Sequence, residues 1–178
     1  HANHREEIDA VCAGDIAGYG DALDETVDLL IGCDCRAIRG NHESRYLERM
    51  ADKPDSRITR FFNRLPPVVE FTIAGKSLYM VHASPPLSDT EGIRLLDEHG
   101  DVIADEKQQW SQRLAGFEAD VLVVGHTHQV FAEWLGTTLV INPGSTKFNH
   151  SCGILSLPDL AFRVIPLSGK TPVRAWHW

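Results

Sequence analysis

No stretch of about 18 consecutive apolar residues occurs in this 178-residue chain, so nothing in it reads as a membrane-spanning helix, and no signal-peptide pattern is visible. A cytoplasmic protein with no membrane partner is the expectation. Cysteine is scarce: Cys12, Cys33, Cys35 and Cys152 lack paired zinc-finger spacing, and Cys33-Asp34-Cys35 alone offers too few thiolates for structural zinc. Buried free thiols are expected in place of disulfides. Positive charge is short as well, with 17 Lys and Arg against 25 Asp and Glu and a net charge of -8. That balance argues against non-specific attraction to nucleic acid or to an anionic membrane, and nucleic acid is not expected as a stable partner. An anionic substrate needs a local source of positive charge, which metal ions would supply.

Hydrophobic residues make up 43% of the sequence and charged residues 24%, values of an ordinary globular core, and the length fits one domain over 1–178. Residues 8–13 form a short apolar run closed by Gly14-Asp15, a buried strand that delivers a carboxylate at its C-terminal end. Gly18-Tyr19-Gly20 is loop. Asp21 is then placed as an N-cap, and Leu23, Val27, Leu30 and Ile31 recur at helical spacing over 22–31. A second strand, 35–39, stops at Gly40 and hands over Asn41-His42-Glu43. Residues 43–51 and 56–65 have helical composition, the latter stopped by Pro66-Pro67. Ala74-Gly75-Lys76 signals a hairpin between strands 68–73 and 77–81, and the second of these ends in His82.

Residues 85–104 form the one long irregular insertion, with a short helical piece expected around 92–98; a lid or specificity wall would be sought there. A helix over 105–117 follows. Residues 120–124 then form an apolar strand that ends at Gly125, and His126-Thr127-His128 leaves it. Extended backbone would put both imidazoles on one side. The short β-rich segments 130–134, 139–141, 153–157 and 160–165 predict a mostly antiparallel C-terminal third. Helices alternate with strands in the first half and strands follow strands in the second, which suggests two sheets with helices outside.

Four glycine-marked strand exits thus offer Asp15, Asn41 with His42, His82, and His126 with His128. In open α/β folds such exits gather along one sheet edge. The donors are nitrogen and oxygen without thiolate, a set that suits manganese, iron, cobalt, nickel or zinc better than calcium, and a carboxylate can bridge two ions. Each residue also has a plain reading of its own: Asp15 as a helix cap, Asn41 as a turn residue, His82 as a core histidine, the His-Thr-His as a polar loop. His4, His99, His150 and His177 match no motif and read as surface or packing residues. The Trp176-His177-Trp178 tail reads as a packed end.

The order Gly14-Asp15, Gly40-Asn41-His42-Glu43, His82, Gly125-His126-Thr127-His128 resembles the calcineurin-like metallophosphoesterases, in particular their small bacterial and archaeal single-domain branch. Gly18-Tyr19-Gly20, Val81-His82-Ala83-Ser84-Pro85 and Asn142-Pro143-Gly144-Ser145 extend the match over residues 8–145. The resemblance implies an α/β fold, a four-layer α-β-β-α sandwich of two mixed sheets flanked by helices, with the metal site at the strand C-terminal edge. It implies two divalent metal ions, manganese first, with iron, zinc, nickel, cobalt or magnesium as substitutes. Asp15 would bridge them, Asn41, His82 and His126 would complete one, and His128 and His1 would belong to the other. His42 would be no ligand but a proton donor to the leaving oxygen. The family writes Asp where Glu43 stands, to orient that histidine, and a longer side chain serves only if the backbone retreats.

Such a site hydrolyses a small phosphomonoester or phosphodiester: two divalent ions neutralise the phosphoryl oxygens and lower the pKa of a bridging water, whose hydroxide attacks phosphorus in line. The competing reading is a calcineurin-like fold used as a protein-binding scaffold, catalytically weak or inactive. The beginning of the chain fits the fold badly. Residues 1–7 are too few for the helical crossover that parallel strands need, so residues are expected to be missing before His1 and between about Asn3 and Glu6.

Overall fold

The structure, a computed structural model, describes residues 9–176. His1, His4, His177 and the suspected break within residues 3–7 lie outside the described residues. Strand β1 (Val11–Cys12) runs parallel to β2 (Arg36–Ala37), and helix α1 (Leu23–Gly32) joins them. Helices α2 (Asn41–Met50) and α3 (Arg57–Arg64) follow. Five strands then build a mixed sheet: β3 (Val68–Ile73), β4 (Lys76–Val81), β5 (Val121–Val123), β6 (Val130–Leu135) and β7 (Thr138–Pro143), in the order β3-β4-β5-β7-β6. Helix α4 (Ala104–Arg113) precedes β5, and β8 (Ser151–Ser156) pairs with β9 (Ala161–Pro166) as a separate antiparallel ribbon.

The middle of the large sheet is parallel, β4 with β5 and β5 with β7, while both edges are antiparallel. The C-terminal third is therefore less uniformly antiparallel than its sequence predicts, because β7 returns to lie beside β5. Alternation along the strands sorts the core. Leu78, Val121, Leu139 and Ile141 face β8–β9 through Leu155 and Phe162. Val81, Leu122 and Val140 turn the other way, onto Trp110 and Leu114 of α4 and onto Ile93, Leu95 and Leu96 of the insertion. A third cluster fills the space between β1–β2 and helices α1 to α3, around Val27, Ala37, Ile58 and Phe62. The expected layering of mixed sheet and flanking helices is present, with β1–β2 and β8–β9 as small sheets beside the large one.

Local departures have local causes. Ala22, not Asp21, is the N-cap of α1, without a side-chain cap, and Leu29 and Ile31 remain exposed, so the buried face of this helix is narrower than its apolar face. Ser56 does cap α3, accepting from Thr59 N at 3.1 Å. No helical piece forms at 92–98. Gln129 Oε1 accepts from the amides of Leu95 at 2.8 Å and Leu96 at 3.1 Å, and its Nε2 donates to Leu96 O at 2.8 Å, so the backbone groups a helix would need are already used. Ile93 and Leu95 are fully buried, so this part of the insertion is anchored in the core. All four cysteines are free, as expected, but Cys33 is exposed and the others are half-buried, so they are less buried than expected. Among the described residues no helix is long and apolar enough to cross a membrane.

Candidate metal centre

The two parallel pairs, β1 with β2 and β4 with β5, end on one edge and deliver the polar residues together. Asp15 leaves β1 with φ 56°, a left-handed backbone that costs a non-glycine residue free energy. Asn41 and His42 stand in the first turn of α2. His82 follows β4, and its carbonyl accepts from Gly125 N at 2.8 Å, which ties the two central exits. The β1 and β2 exits approach so closely that a Cβ on Gly14 would lie 2.7 Å from Gly40 N, so a larger residue does not fit there.

Four donor atoms meet at this edge. His82 Nε2 is 3.2 Å from Asp15 Oδ1 and 3.1 Å from Asn41 Oδ1, and His126 Nδ1 is 3.2 Å from the same Asn41 oxygen. The ligand atoms of Asp15, His82 and His126 all lie within 4.8 Å of one another. His82 Nδ1 is 2.6 Å from Ala13 O, and a carbonyl only accepts, so Nδ1 carries the hydrogen. The other nitrogen of a neutral His82 then points a lone pair at two oxygens. Such a cluster of acceptors needs a cation, either a proton or a metal ion. Donors bound at about 2.1 Å are about 3.0 Å apart on an octahedron and about 3.4 Å apart on a tetrahedron, so the observed spacings suit a divalent ion. The residues present fit the group.

Where a proton is that cation, it is shared between Asp15 and His82. Burial alone would raise the Asp15 carboxyl, yet the His82 hydrogen bond and charge, with the His42 N–H, hold it below the ordinary carboxylate value. Burial likewise works against charge on His82, and the Asp15 partner overcomes it, so its pKa is raised. His126 is pushed down by burial and then by the charge on His82.

His128 lies apart from this cluster. Its ring stacks on Phe148, with centroids 5.0 Å apart, and burial pushes its pKa down to about 4. Both His126 and His128 have positive φ, 61° and 49°, so the His-Thr-His segment is a turned loop instead of the extended piece its spacing suggests. Three residues without an expected role set that turn. Asn142 Nδ2 donates to Gly125 O at 2.9 Å and Thr127 Oγ1 at 3.0 Å, Thr127 Oγ1 donates to Ile93 O at 3.0 Å, and Asn149 Nδ2 donates to His128 O at 2.8 Å. Asn142 and Thr127 lie in quoted motifs, Asn142-Pro143-Gly144-Ser145 and Gly125-His126-Thr127-His128, while Asn149 lies in none.

Glu43 is fully buried and does something other than orient His42. Its Oε2 accepts from Asp15 N at 2.9 Å and Gly40 N at 2.8 Å, and its Oε1 from Ala17 N at 2.8 Å. One carboxylate thereby clamps the exits of β1 and β2. The His42 ring meets Tyr19 instead: Nε2 is 2.7 Å from the Tyr19 hydroxyl and 4.0 Å from Asp15 Oδ2. Of the histidines outside the motifs, His99 is exposed and His150 is half-buried, as their surface or packing reading requires.

A sequence profile described as the calcineurin-like phosphoesterase superfamily domain matches residues 2–156. The chain belongs to this superfamily. An uncharacterised protein of Methanocaldococcus jannaschii is 24% identical along a 149-position match that covers 75% of this chain and 56% of that protein. The chain thus spans a little over half the length of this calcineurin-like chain's curated relative. Among solved structures, a hypothetical protein from Pyrococcus horikoshii OT3 matches with a TM-score of 0.66 at 17% identity, over 90% of this chain and 75% of its own. A metallophosphoesterase from Sphaerobacter thermophilus matches with a TM-score of 0.61 at 17% identity, over 91% and 80%. At such identities the likeness is one of fold.

Proposed function

We propose that this protein is a metal-dependent hydrolase of phosphoesters, one domain over 1–178 that acts in the cytoplasm on a small phosphodiester or phosphomonoester. Asp15, Asn41, His82 and His126 hold one divalent ion, and Asp15, His128 and His1 the second, with manganese the first choice. The observation that carries this reading is the run of contacts at 3.1–3.2 Å from Asp15 to His82, from His82 to Asn41 and from Asn41 to His126, on the edge of two parallel strand pairs. Bound there, divalent ions supply neutralisation of the phosphoryl oxygens and activation of a water.

The chain's own residues do the rest. Glu43 and the glycine exits fix the donors before substrate arrives, so little reorganisation is left to the reaction. His42 stands beside them with Nε2 4.0 Å from Asp15 Oδ2. It gives a proton to the leaving oxygen as the ester P–O bond breaks and the water oxygen bonds to phosphorus.

Turnover of bis-p-nitrophenyl phosphate and p-nitrophenyl phosphate by purified protein with Mn²⁺ tests the reading. Hydrolysis abolished by EDTA and restored by added Mn²⁺ is expected. Failure to hydrolyse either ester with any of the metals named would leave the binding scaffold in its place.

A further inference from the structure

Tyr19 carries no assignment in the hydrolase reading, yet its hydroxyl is the polar partner recorded for the His42 imidazole, 2.7 Å from Nε2. The two rings lie 4.4 Å apart between centroids. On the other side of the imidazole, Gly18 comes so near that a Cβ would lie 2.5 Å from Nδ1, and its φ of 101° also excludes larger residues. The tyrosine is held in turn. Phe148 meets its ring edge-on at 4.9 Å and itself stacks on His128 and touches Trp176. Burial, and then the charge of Asp15, push the phenol pKa up to about 12, so the hydroxyl keeps its proton at neutral pH. Nε2 is also the ring nitrogen recorded 4.0 Å from Asp15 Oδ2, beside the candidate ligands.

We propose that Tyr19 is a positioning residue for His42: its hydroxyl and the Gly18 backbone grip the imidazole so that Nε2 stays at the edge of the metal centre until a leaving oxygen takes the hydroxyl's place. The inference rests on the hydrolase reading. In the step it serves, His42 enters protonated, with its Nε2–H donated to the Tyr19 hydroxyl oxygen until the leaving oxygen replaces it; the ester P–O bond breaks, that proton passes to the departing oxygen, and the neutral imidazole then accepts the Tyr19 O–H until a proton from solvent restores Nε2–H. The water oxygen has by then formed the new bond to phosphorus. Proton donation matters most for a basic leaving oxygen, so the hydroxyl favours phosphoesters of poor leaving groups, such as those of alcohols, over those of acidic phenols.

Tyr19→Phe keeps the ring packing and removes only the hydroxyl. Its kcat should fall about 10-fold on diphenyl phosphate and about 2- to 3-fold on bis-p-nitrophenyl phosphate, with KM and bound metal within about 2-fold of the parent. The double variant with His42→Ala should be no slower than His42→Ala alone. A readout independent of turnover is the ¹⁵N shift of His42 Nε2, which should move in Tyr19→Phe. Equal losses on both esters, multiplying losses in the double variant, or an unmoved ring nitrogen each overturn the inference while the hydrolase stands. A His42→Ala loss that ignores the leaving group overturns the proton-donor role of His42 and this inference with it.

Discussion

The candidate metal centre has two unlike halves. Asp15, Asn41, His82 and His126 sit at strand exits locked by backbone hydrogen bonds, glycine contacts and the buried Glu43 carboxylate, and their donor atoms face one another. Tyr19, His42, His128 and Phe148 are held mainly by ring packing, and the nearest partner of His42 Nε2 is a hydroxyl. The difference teaches where each kind of order comes from. Backbone geometry can hold repelling acceptors close together, at a cost that a bound cation offsets. Aromatic packing holds the His42 ring in place without fixing its partner, so under the proposed function the partner can be exchanged for substrate. Variants of the first half should therefore fail in metal, and variants of Tyr19 and His42 in chemistry.

The largest effect is expected from Asp15→Ala, which removes the carboxylate at the centre of the first half. Both ions should be lost and turnover should fall to the uncatalysed background, while His126→Ala loses one ion. Elemental analysis of the purified variants checks this, and full occupancy in Asp15→Ala would remove the bridging role. His42→Ala tests the second half. It should lower kcat about 100-fold with metal retained, the usual size for loss of general-acid help. Metal loss with turnover preserved would mean that the two halves are not separate.

Glu43→Gln follows. The amide oxygen can still serve Asp15 N and Gly40 N, but its NH₂ group then meets the Ala17 N–H, donor against donor. Stability should drop by about 1–3 kcal/mol, several degrees in melting temperature. Metal affinity should weaken with it, since the clamp joins the loops that carry Asp15 and Asn41. An unchanged melting curve would show the clamp to be dispensable.

The first half was the more legible in the sequence, for a physical reason. A strand that ends in glycine and a candidate metal ligand leaves its mark in a few adjacent letters, and Gly14-Asp15, Gly40-Asn41 and Gly125-His126 are such marks. Most helices and the hairpin could be read from the same kind of local pattern, as the Ala74-Gly75 turn illustrates. What the sequence hid depends on distance. Nothing near Tyr19 says that it meets His42, 23 positions away, nor does anything near Gln129 say that it holds the amides of Leu95 and Leu96 and so denies residues 92–98 a helix. The clamp made by Glu43 was hidden for a related reason. Besides Gly40, its partners Asp15 and Ala17 lie 28 and 26 residues earlier, which only the β1–β2 pairing brings near.

The smallest effect is expected at the far end of β5, and it bears on whether the rigid half draws its order from whole strands or only from their exits. Asp120 Oδ2 accepts from Ser77 N at 2.8 Å and Ser77 Oγ at 2.9 Å, and Lys76 Nζ approaches Oδ1 at 3.3 Å, pinning β5 to the start of β4. The Ser77 amide first, then its hydroxyl and Lys76, hold the Asp120 carboxyl below its ordinary value. A carboxylate whose pKa is lower in the folded protein than in the unfolded chain stabilises the fold above the unfolded value of about 3.9, and that contribution disappears as pH falls through the lower folded value. The stability difference between the parent and Asp120→Asn should therefore be full above about pH 5 and shrink as pH falls below about 4. The site is solvent-exposed, so the difference should be modest and weakened by salt. Metal content and turnover should stay at parental levels, because the exits carrying His82 and His126 are joined at their own end by the bond from Gly125 N to His82 O. A loss of metal in Asp120→Asn would instead show that the order of the rigid half depends on β5 along its whole length.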